Sequence, residues 1–474
     1  MRRLPLAYAF AVLVLAAVLQ VSSRPATAAE SSGDSTAADR PNIVIIYADD
    51  LGYGDLTCYG HPTIRTPNLD RMAAEGMRFT DFYSAAEVCT PSRAALLTGR
   101  LPIRSGMCSH KRRVLFPDSA GGLPLEEITI AEGLKTRGYA TGMVGKWHLG
   151  HLPQYLPTRQ GFDEYFGIPY SNDMDRLASA PKGRAAFLEE NSAYWNVPLI
   201  EGEKTLERAP DQSQLTRRYT ERAVDFIRRH RDGPFFFYFA HTFPHVPLFA
   251  SKEFRGQSPR GLYGDVVEEL DWSVGQVLDA IREQGIAQRT VVFFSSDNGP
   301  WLTQGDQGGS SGLLFEGKGS TWEGGMREPG LAWWPGHVPA GSINRSMAST
   351  MDLFVTSLKL AGAEVPQDRV IDGTDLRGTL LSGEPSPRNV FFYYRGPDLY
   401  AVRKGPYKAH LITQPAYGTE KPQKHDPPLL FHLGVDPGEK YNVAKDHPEV
   451  LRDIAQEIER HRTTVEPVEN QLEQ

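Results

Sequence analysis

Cysteine and surplus positive charge are both scarce in this chain of 474 residues. There are three cysteines, too few and too odd a number for a disulfide scaffold. The 51 basic residues face 58 acidic ones, and the formal net charge of −7 excludes a general nucleic-acid binder. With 40% apolar and 23% charged residues, the composition also excludes a disordered, fibrous or multi-span membrane protein. We therefore expect a globular enzyme with one large domain and a smaller one.

The first residues have the pattern of a secretory signal peptide. Arg2 and Arg3 precede an apolar run at 4–21, and small residues follow at 26–29. A signal peptide is predicted over residues 1–29 and a flexible lead-in over 30–40. A retained anchor is the alternative, although Pro5 and Gln20 leave the run only just long enough to span a bilayer. Once the signal is cleaved, no other stretch could span a membrane.

After residue 40, short apolar runs alternate with segments of helical period, which predicts an α/β sheet. Strands buried on both faces are predicted at residues 42–47, 143–144, 234–240 and 290–295. One helix is predicted to begin at Thr66-Pro67 and to end at Gly76. A second begins with a capping box at 129–132 and ends at Gly138. Two amphipathic helices are predicted at 212–231 and 264–284. Residues 172–211 have little periodicity and are predicted to pass over the sheet edge.

The character of the sequence changes near residue 386. Short strands separated by Gly-Pro and polar turns predict an antiparallel sheet, and they lie at 390–394, 400–403, 407–412 and 429–433. A helix near 447–462 follows. We therefore predict a catalytic α/β domain over 41–385 and a smaller sheet-and-helix subdomain over 386–474.

Polar side chains follow four of the predicted strands at the point where each strand ends. In open α/β sheets ligands bind beyond the carboxyl ends of the strands, so these groups are expected to converge on one site. The alternative is that such residues merely favour loops, which explains one strand end more easily than four. The residues are Asp49 and Asp50, then Lys146 and His148, then His245, and finally Asp297 and Asn298.

Three aspartates and an asparagine among these residues supply oxygen ligands only. Oxygen donors suit Ca²⁺ or Mg²⁺ better than zinc. A zinc site would need a histidine pair, but His148 and His151 are separated by only two residues. Pro244 breaks the helix on which His241 and His245 would form such a pair. Zinc is therefore not expected.

Cys89 directly precedes a helical run in which Pro91 suits the first turn. The positive end of a helix dipole favours an anion or a thiolate at that place. The alternative is a buried structural cysteine.

Lys318 lies in a glycine-rich stretch, 312–319, that nearly matches a phosphate-binding loop. Gly319 replaces the hydroxyl residue that would hold Mg²⁺, so nucleotide binding is not expected. Lys318 could still donate to an oxyanion, or it could be an ordinary surface lysine. Three tryptophans that follow the fourth strand could line the pocket or pack in the core, and the core is favoured: Trp301, Trp333 and Trp334.

Several motifs resemble those of the type I, formylglycine-dependent sulfatases. The segment Cys89-Thr90-Pro91-Ser92-Arg93, continuing to 97–100, resembles the signature in which that family oxidises the cysteine to formylglycine. Further motifs occur in the family's order at 145–150, 317–325 and 436–439. The resemblance covers nearly all of residues 41–445, and it is greatest to the arylsulfatase and N-acetylgalactosamine-6-sulfatase groups of the family.

The resemblance implies an alkaline-phosphatase-like fold, with a mostly parallel sheet sandwiched by helices and a smaller C-terminal antiparallel sheet. It implies a sulfuric ester hydrolase whose formylglycine hydrate, made from Cys89, attacks the sulfur of a sulfated sugar or aryl sulfate. The second hydroxyl of the hydrate would then lose its proton and expel the sulfate. A thiol or a serine has no second hydroxyl and would stay sulfated. Calcium, with magnesium as the alternative, would be held by Asp49, Asp50, Cys89, Asp297 and Asn298.

The same resemblance implies roles for the remaining site residues. Arg93 and Lys146 would contact the hydrate, and His148 would act as a base on its second hydroxyl. His245 and Lys318 would bind the sulfate and assist departure of the leaving oxygen. Ser171 would make a further contact to the substrate.

Two other functions stay open from the sequence. One is a phosphate or phosphonate monoester hydrolase that uses the same metal and nucleophile, and the other is a non-catalytic, calcium-stabilised glycan-binding homologue. The resemblance implies two partners: a sulfated carbohydrate or aryl sulfate as substrate and a formylglycine-generating enzyme during maturation. The signal peptide, the few cysteines and the single glycosylation sequon at 344–346 predict an exported, periplasmic or secreted enzyme, bacterial in origin.

Overall fold

Strand β1 (Asn42–Ala48) lies in the middle of the large sheet and is buried along its whole length. The computed structural model describes residues 40–466 and 468–474; the predicted signal peptide lies outside them, as does the lead-in except residue 40. The other strands are β2 (Met77–Tyr83), β3 (Ala140–Lys146), β4 (Glu164–Ile168), β5 (Pro198–Glu201), β6 (Lys204–Arg208), β7 (Phe235–Ala240), β8 (Thr290–Ser296), β9 (Arg327–Trp333), β10 (Ser342–Asn344), β11 (Ala348–Ser349), β12 (Val390–Arg395), β13 (Asp398–Lys404), β14 (Tyr407–Thr413) and β15 (Gln423–His432).

Eleven helices connect or cover these strands in the described part of the chain. No helix in that part is both long and apolar enough to cross a membrane. The helices are α1 (Pro67–Glu75), α2 (Cys89–Thr98), α3 (Pro102–Ser105), α4 (Ile130–Lys135), α5 (Ala185–Leu188), α6 (Leu215–Arg229), α7 (Leu262–Glu283), α8 (Glu323–Met326), α9 (Asp352–Leu360), α10 (Arg377–Ser382) and α11 (Pro448–Arg462).

The large sheet is mixed but mostly parallel around its centre. Its strand order is β10-β2-β9-β8-β1-β7-β3-β4-β5-β6, and β11 pairs with β2. Strand β1 pairs in parallel with β7 and β8, β3 with β7, and β4 with β3. The carboxyl ends of β8, β1, β7, β3 and β4 therefore meet at one edge, where ligands bind in sheets of this kind.

Helices cover both faces of this sheet. Val44 and Ile46 of β1 belong to one hydrophobic core, which α1, α6 and α7 complete. Ile43 and Ile45 point the other way into a second core, which α2, α4 and α9 complete. The predicted α/β class, with a parallel sheet between two layers of helices, is confirmed.

Several element boundaries differ from the prediction. The predicted strand at 143–144 is the middle of the longer β3, and the helix predicted at 212–231 is α6 preceded by a 3-10 turn at 212–214. Helix α4 has the predicted capping box at Thr129 but ends at Lys135, because residues up to Gly138 form i→i−3 turns instead. Residues 172–211 do not merely pass the sheet edge: they add the hairpin β5–β6 to it.

The C-terminal strands form a separate antiparallel sheet in the order β12-β13-β14-β15, as predicted. Helix α11 packs on β13 and β14 through Ile454 and Ile458. The division of the chain at residue 385 stays a prediction.

A buried ionic cluster joins this small sheet to the segment that precedes β9. Lys408 of β14 is fully buried, and its ammonium lies 3.0 Å from carboxylate oxygens of both Glu323 and Glu439. The ammonium also donates to the carbonyl oxygen of Thr321 at 2.8 Å. Lys408 is thus shared by two buried carboxylates, of which Glu323 also pairs with Arg327 at 3.4 Å and Glu439 also contacts His410 at 2.6 Å.

Replacing Lys408 with methionine is expected to lower the free energy of unfolding by about 3–5 kcal/mol, because buried Glu439 would lose its ammonium partner and Glu323 would keep only the longer pair with Arg327, at 3.4 Å. Chemical denaturation measures this loss. The control is Lys404→Met in the neighbouring strand, whose partly exposed pair with Asp453 predicts a loss of about 1 kcal/mol or less. Equal losses in the two variants would contradict the argument.

Candidate active site

The structure brings the predicted strand-end side chains together at one edge of the large sheet. Asp49 and Asp50 follow β1, Asp297 and Asn298 follow β8, and Lys146 is the last residue of β3. All five are buried. The backbone N–H of Asp50 donates to Asp297 at 3.1 Å, which ties the ends of the two neighbouring strands together.

Cys89 is the first residue of helix α2, in which every residue is buried. The helix ends at Gly99, whose left-handed φ of 68° permits the turn. The Cys89 sulfur lies 3.5 Å from Asp49 Oδ1 and 3.6 Å from Lys318 Nζ. Burial raises the pKa of the Cys89 thiol well above its usual value, and Lys146 and Lys318 offset this only in part. As the encoded thiol, Cys89 is therefore a poor nucleophile.

Three cations pair with the three carboxylates of the site. Lys146 Nζ lies 2.6 Å from Asp49, and Lys318 Nζ lies 2.8 Å from Asp50. The third pair joins Arg93 to Asp297 at 2.8 Å. Each ammonium or guanidinium is buried or nearly so, which makes these pairs strong but costly to desolvate.

Burial alone would lower the pKa of the Lys318 ammonium. Asp50 and Cys89 more than offset this effect, so the pKa of Lys318 lies well above its usual value. Lys318 is therefore charged, and it is not the surface lysine that the sequence left as an alternative.

The site contains more oxygen and sulfur ligand atoms than the ion pairs use. One ligand atom from each of Asp49, Asp50, Cys89 and His245 lies within 4.8 Å of the others. Asn298 donates its Nδ2 to Asp50 at 2.7 Å, but its Oδ1 is buried without a hydrogen-bond partner. A buried oxygen of this kind is normally satisfied, so this one indicates a missing partner.

Two histidines stand beside these groups with their orientation fixed by backbone carbonyls. His148 Nε2 lies 2.9 Å from the carbonyl of Leu115, and its Nδ1 is buried without a partner. His245 Nδ1 lies 2.6 Å from the carbonyl of Val246, which leaves Nε2 at 3.7 Å from Asp50. Burial lowers the pKa of both imidazoles, well below normal for His148 and to about 4 for His245, with nearby lysines adding to the effect.

Backbone strain also concentrates here. Asp50 and His148 have left-handed φ values of 64° and 59°, which non-glycine residues rarely adopt. Both residues lie directly after strand ends. Surrounding contacts must hold each of them in this conformation.

Ser171 is buried beyond the end of β4, on the same edge of the sheet. Among the described residues, its side chain makes no hydrogen bond or ion pair with the cluster around Cys89. The structure therefore places Ser171 at the correct edge without joining it to the other predicted residues.

Two aromatic residues lie at the site that the sequence did not assign to it. The ring centroid of Trp301 is 4.5 Å from Lys318 Nζ and 5.5 Å from the His245 ring. Tyr417 stacks on Trp301 with ring centroids 5.7 Å apart. Trp301 is only partly buried, so its expected core position is wrong, whereas Trp333 and Trp334 are in the core as expected.

Comparison with known proteins agrees with the motifs. The family profile described as "Sulfatase" matches residues 41–363, and "C-terminal region of aryl-sulfatase" matches residues 386–474. The chain is 44% identical over 471 residues to N-acetylgalactosamine-6-sulfatase of Mus musculus, covering 91% of this chain and 88% of that protein. It is 47% identical over 443 residues to arylsulfatase A of Homo sapiens, covering 88% and 86%. The crystal structure of PsFucS1 sulfatase from Pseudoalteromonas sp. superposes with a TM-score of 0.81 at 30% identity, covering 91% and 92%.

Proposed function

The chain belongs to the sulfatase family, and we propose that it hydrolyses sulfate esters of sugars or aryl alcohols with a formylglycine made from Cys89. The observation that carries this proposal is the position of Cys89. It begins a buried helix and lies within 3.6 Å of both an aspartate of the ligand set and Lys318. A formylglycine-generating enzyme would carry out the modification before export to the periplasm or the medium.

The residues present fit a divalent cation. The oxygen atoms come from Asp49, Asp50, Asp297 and Asn298, and the unpartnered Asn298 Oδ1 is the observation that favours a missing ligand. Hard oxygen donors select Ca²⁺, or Mg²⁺, over softer metals. When bound, the cation would withdraw electron density from the oxygens around the reacting group and favour their deprotonation.

Charge balance supports an anionic substrate. The three carboxylates and three cations of the site sum to zero, so a bound divalent cation would leave a net charge of +2. A sulfate ester carries one negative charge and is attracted to such a site. Helix α2 adds at most about 2 kcal/mol, so the metal and the Lys146 and Lys318 ammonium groups must supply most of the stabilisation of the transition state.

Three residues of the chain are suited to hold and deprotonate the nucleophile. Arg93, a residue of α2 itself, and Lys146 lie 3.7 and 2.6 Å from Asp49, which contacts Cys89, so their positive charges would orient hydroxyl oxygens on the modified Cys89. His148 is neutral because burial lowers its pKa, and its Nδ1 has no partner in the described structure. A neutral imidazole with a free nitrogen can accept a proton, as a base on the second hydroxyl must.

His245 and Lys318 are suited to bind the sulfate group and to assist the leaving oxygen. Lys318 is charged and could donate to sulfate oxygens. His245 directs its Nδ1–H at the Val246 carbonyl, so its Nε2 can donate only from the protonated imidazole. An anionic substrate bound beside the ring would raise its lowered pKa and favour that protonated form. Proton donation matters most for alcohols whose anions are unstable. Ser171 remains a further predicted substrate contact.

His245→Ala is expected to slow hydrolysis of an alkyl or sugar sulfate by roughly 10²–10⁴-fold, the usual contribution of a general acid. Hydrolysis of 4-nitrophenyl sulfate should fall far less, because nitrophenolate leaves without protonation. Steady-state rates on both substrates measure the difference. His151→Ala, at a partly buried histidine outside the cluster, is the control. Equal losses on the two substrates would argue against the acid role.

Competition between sulfate and phosphate tests the proposed activity as a whole. The enzyme is expected to prefer 4-nitrophenyl sulfate to 4-nitrophenyl phosphate in the presence of Ca²⁺. A large preference for phosphate would replace the proposal with a phosphate monoester hydrolase. Absence of turnover on either ester by formylglycine-containing protein would leave the glycan-binding alternative.

A further inference from the structure

The aromatic pair beside Lys318 lies where the organic part of the substrate must be. Attack on sulfur proceeds in line, so the leaving oxygen lies on the side of sulfur opposite to the nucleophile. His245 is the group proposed to meet that oxygen, whereas Lys318, 3.6 Å from the Cys89 sulfur, would hold the sulfate oxygens. The Trp301 ring is within 5.5 Å of the His245 ring and 4.5 Å of the Lys318 ammonium. An alcohol attached to the leaving oxygen would therefore contact Trp301.

Tyr417 extends this surface away from the reacting centre. It lies in the connection between β14 and β15, and its ring stacks on Trp301 with an angle of 22° between the ring planes. Tyr417 keeps 37% of its surface exposed. The connection between two strands of the C-terminal sheet thus contributes a side chain to a site whose other members all lie between residues 49 and 318.

The connection that carries Tyr417 is held in place by two arginines. Arg395 donates to the carbonyl oxygens of Gln414, Pro415 and Ala416 at 3.0–3.3 Å. Arg113 donates to Ala416 at 3.4 Å, and its guanidinium carbon lies 5.9 Å from the Tyr417 ring centroid. Among the described residues, Arg395 makes no ion pair with a carboxylate. Its contacts go to the backbone that positions Tyr417.

Trp301 also offers a polar group. Its indole nitrogen is buried and has no hydrogen-bond partner in the described structure. Such a donor is normally satisfied, which indicates a ligand atom that accepts from it. A ring substituent such as a hydroxyl would meet this requirement.

We infer that Trp301 and Tyr417 form a two-ring wall that binds the ring of the leaving alcohol, as aromatic side chains bind a pyranose or an aryl group. The inference rests on the function proposed above. It makes these two residues determinants of substrate specificity, with Arg113 and Arg395 positioning the second of them. A pyranose and an aryl group share the feature that such a wall would bind, a six-membered ring with an apolar surface.

Tyr417→Ala tests the inference, and three sulfate esters serve as substrates: N-acetylgalactosamine 6-sulfate, 4-nitrophenyl sulfate and propyl sulfate. KM for the ring-bearing esters is expected to rise about tenfold or more, since loss of one buried ring contact has an effect of this size. Values of kcat/KM for propyl sulfate should stay within about twofold, because it has no ring to lose. Tyr417→Phe should behave as the unsubstituted enzyme.

The control is Tyr441→Ala, at a tyrosine that is 71% exposed and also follows the C-terminal sheet. It should change none of the three rates. Trp301→Leu serves as a second variant and should resemble Tyr417→Ala on the ring-bearing esters, with an added loss on propyl sulfate because Trp301 also contacts Lys318.

The outcomes separate the inference from the proposed function. Loss on the sugar ester alone, on the aryl ester alone, or on both supports the wall and identifies which ring it binds. Equal losses on all three esters, or no loss on any, in Tyr417→Ala overturn it. Failure of the unsubstituted, formylglycine-containing enzyme to release sulfate from any ester would instead overturn the proposed function.

Discussion

Replacing Cys89 with alanine is expected to abolish sulfate release while the protein stays folded. The loss should be on the order of 10⁴-fold or more, as when other covalent nucleophiles are removed. Stability should change little, because the Cys89 sulfur makes only two contacts with polar groups, at 3.5 and 3.6 Å. Steady-state assays and circular dichroism measure the two effects separately. Cys58→Ala, at a partly buried cysteine in the 3-10 turn Thr57–Tyr59, is the control.

Cys89→Ser separates a hydrated aldehyde from an ordinary hydroxyl. A serine has one hydroxyl, so it could accept sulfate but could not expel it, and the variant should stop after one turnover. Intact-protein mass spectrometry should then detect a sulfated chain. A peptide spanning Cys89 in the active, natively produced enzyme should carry formylglycine. Active protein with an unmodified thiol at this position would contradict the mechanism.

Removing the divalent cation is the second change with a large expected effect. Chelation should lower turnover by about 100-fold or more, since the proposed cation would supply much of the charge that stabilises the transition state. Without the cation, the site has no net positive charge, because Asp49, Asp50 and Asp297 each pair with one basic side chain. Added Ca²⁺ should restore the rate.

Thermal unfolding offers a measurement that does not depend on activity. A ligand that binds only the folded protein stabilises it by about 2.7 kcal/mol at 100 times its Kd. Ca²⁺ should therefore raise the melting temperature of the chelated protein. Asn298→Leu removes the unpartnered Oδ1 and should weaken this shift. Full activity after chelation, with no calcium-dependent shift, would exclude the metal site.

The parallel core of the fold and its edge could be predicted because each strand there has a simple pattern. Val44 to Ile46 and their neighbours are uniformly apolar, as strands buried on both faces must be. The polar residues that follow them, such as Asp49 and Asp297, then locate the ligand edge by topology alone. These inferences need only local sequence and one rule of sheet architecture.

Strand β9 could not be predicted in the same way, although it is central to the sheet. Its sequence contains Glu328, Pro329 and Gly330, which argue against a buried strand. The pairing with β2 shifts register next to Pro329, so a bulge removes the need for its missing N–H. Burial raises the pKa of Glu328 well above its usual value, so a residue that reads as charged is neutral there.

The two aromatic residues of the site differ in how far sequence could have found them. Trp301 follows Asn298 by three positions, and this closeness in sequence to a predicted ligand was a usable signal. Its large apolar side chain favoured a position in the core instead. Tyr417 gave no such signal. It comes from the connection between two strands of a different sheet, and tertiary contacts bring it to the site, among them the hydrogen bonds from Arg395 and Arg113 to its loop and the stacking on Trp301.

The lysine sealed between two glutamates has a consequence for how such enzymes can diversify. Thr321 and Glu323, which Lys408 holds, lie within five residues of Lys318, so the terminal sheet helps to set the position of the lysine proposed to bind sulfate. A C-terminal module borrowed from a distant relative would arrive without a matching buried charge. Recombination at this junction should therefore yield few working chimaeras, and new specificities should arise by changing loops such as the one that bears Tyr417.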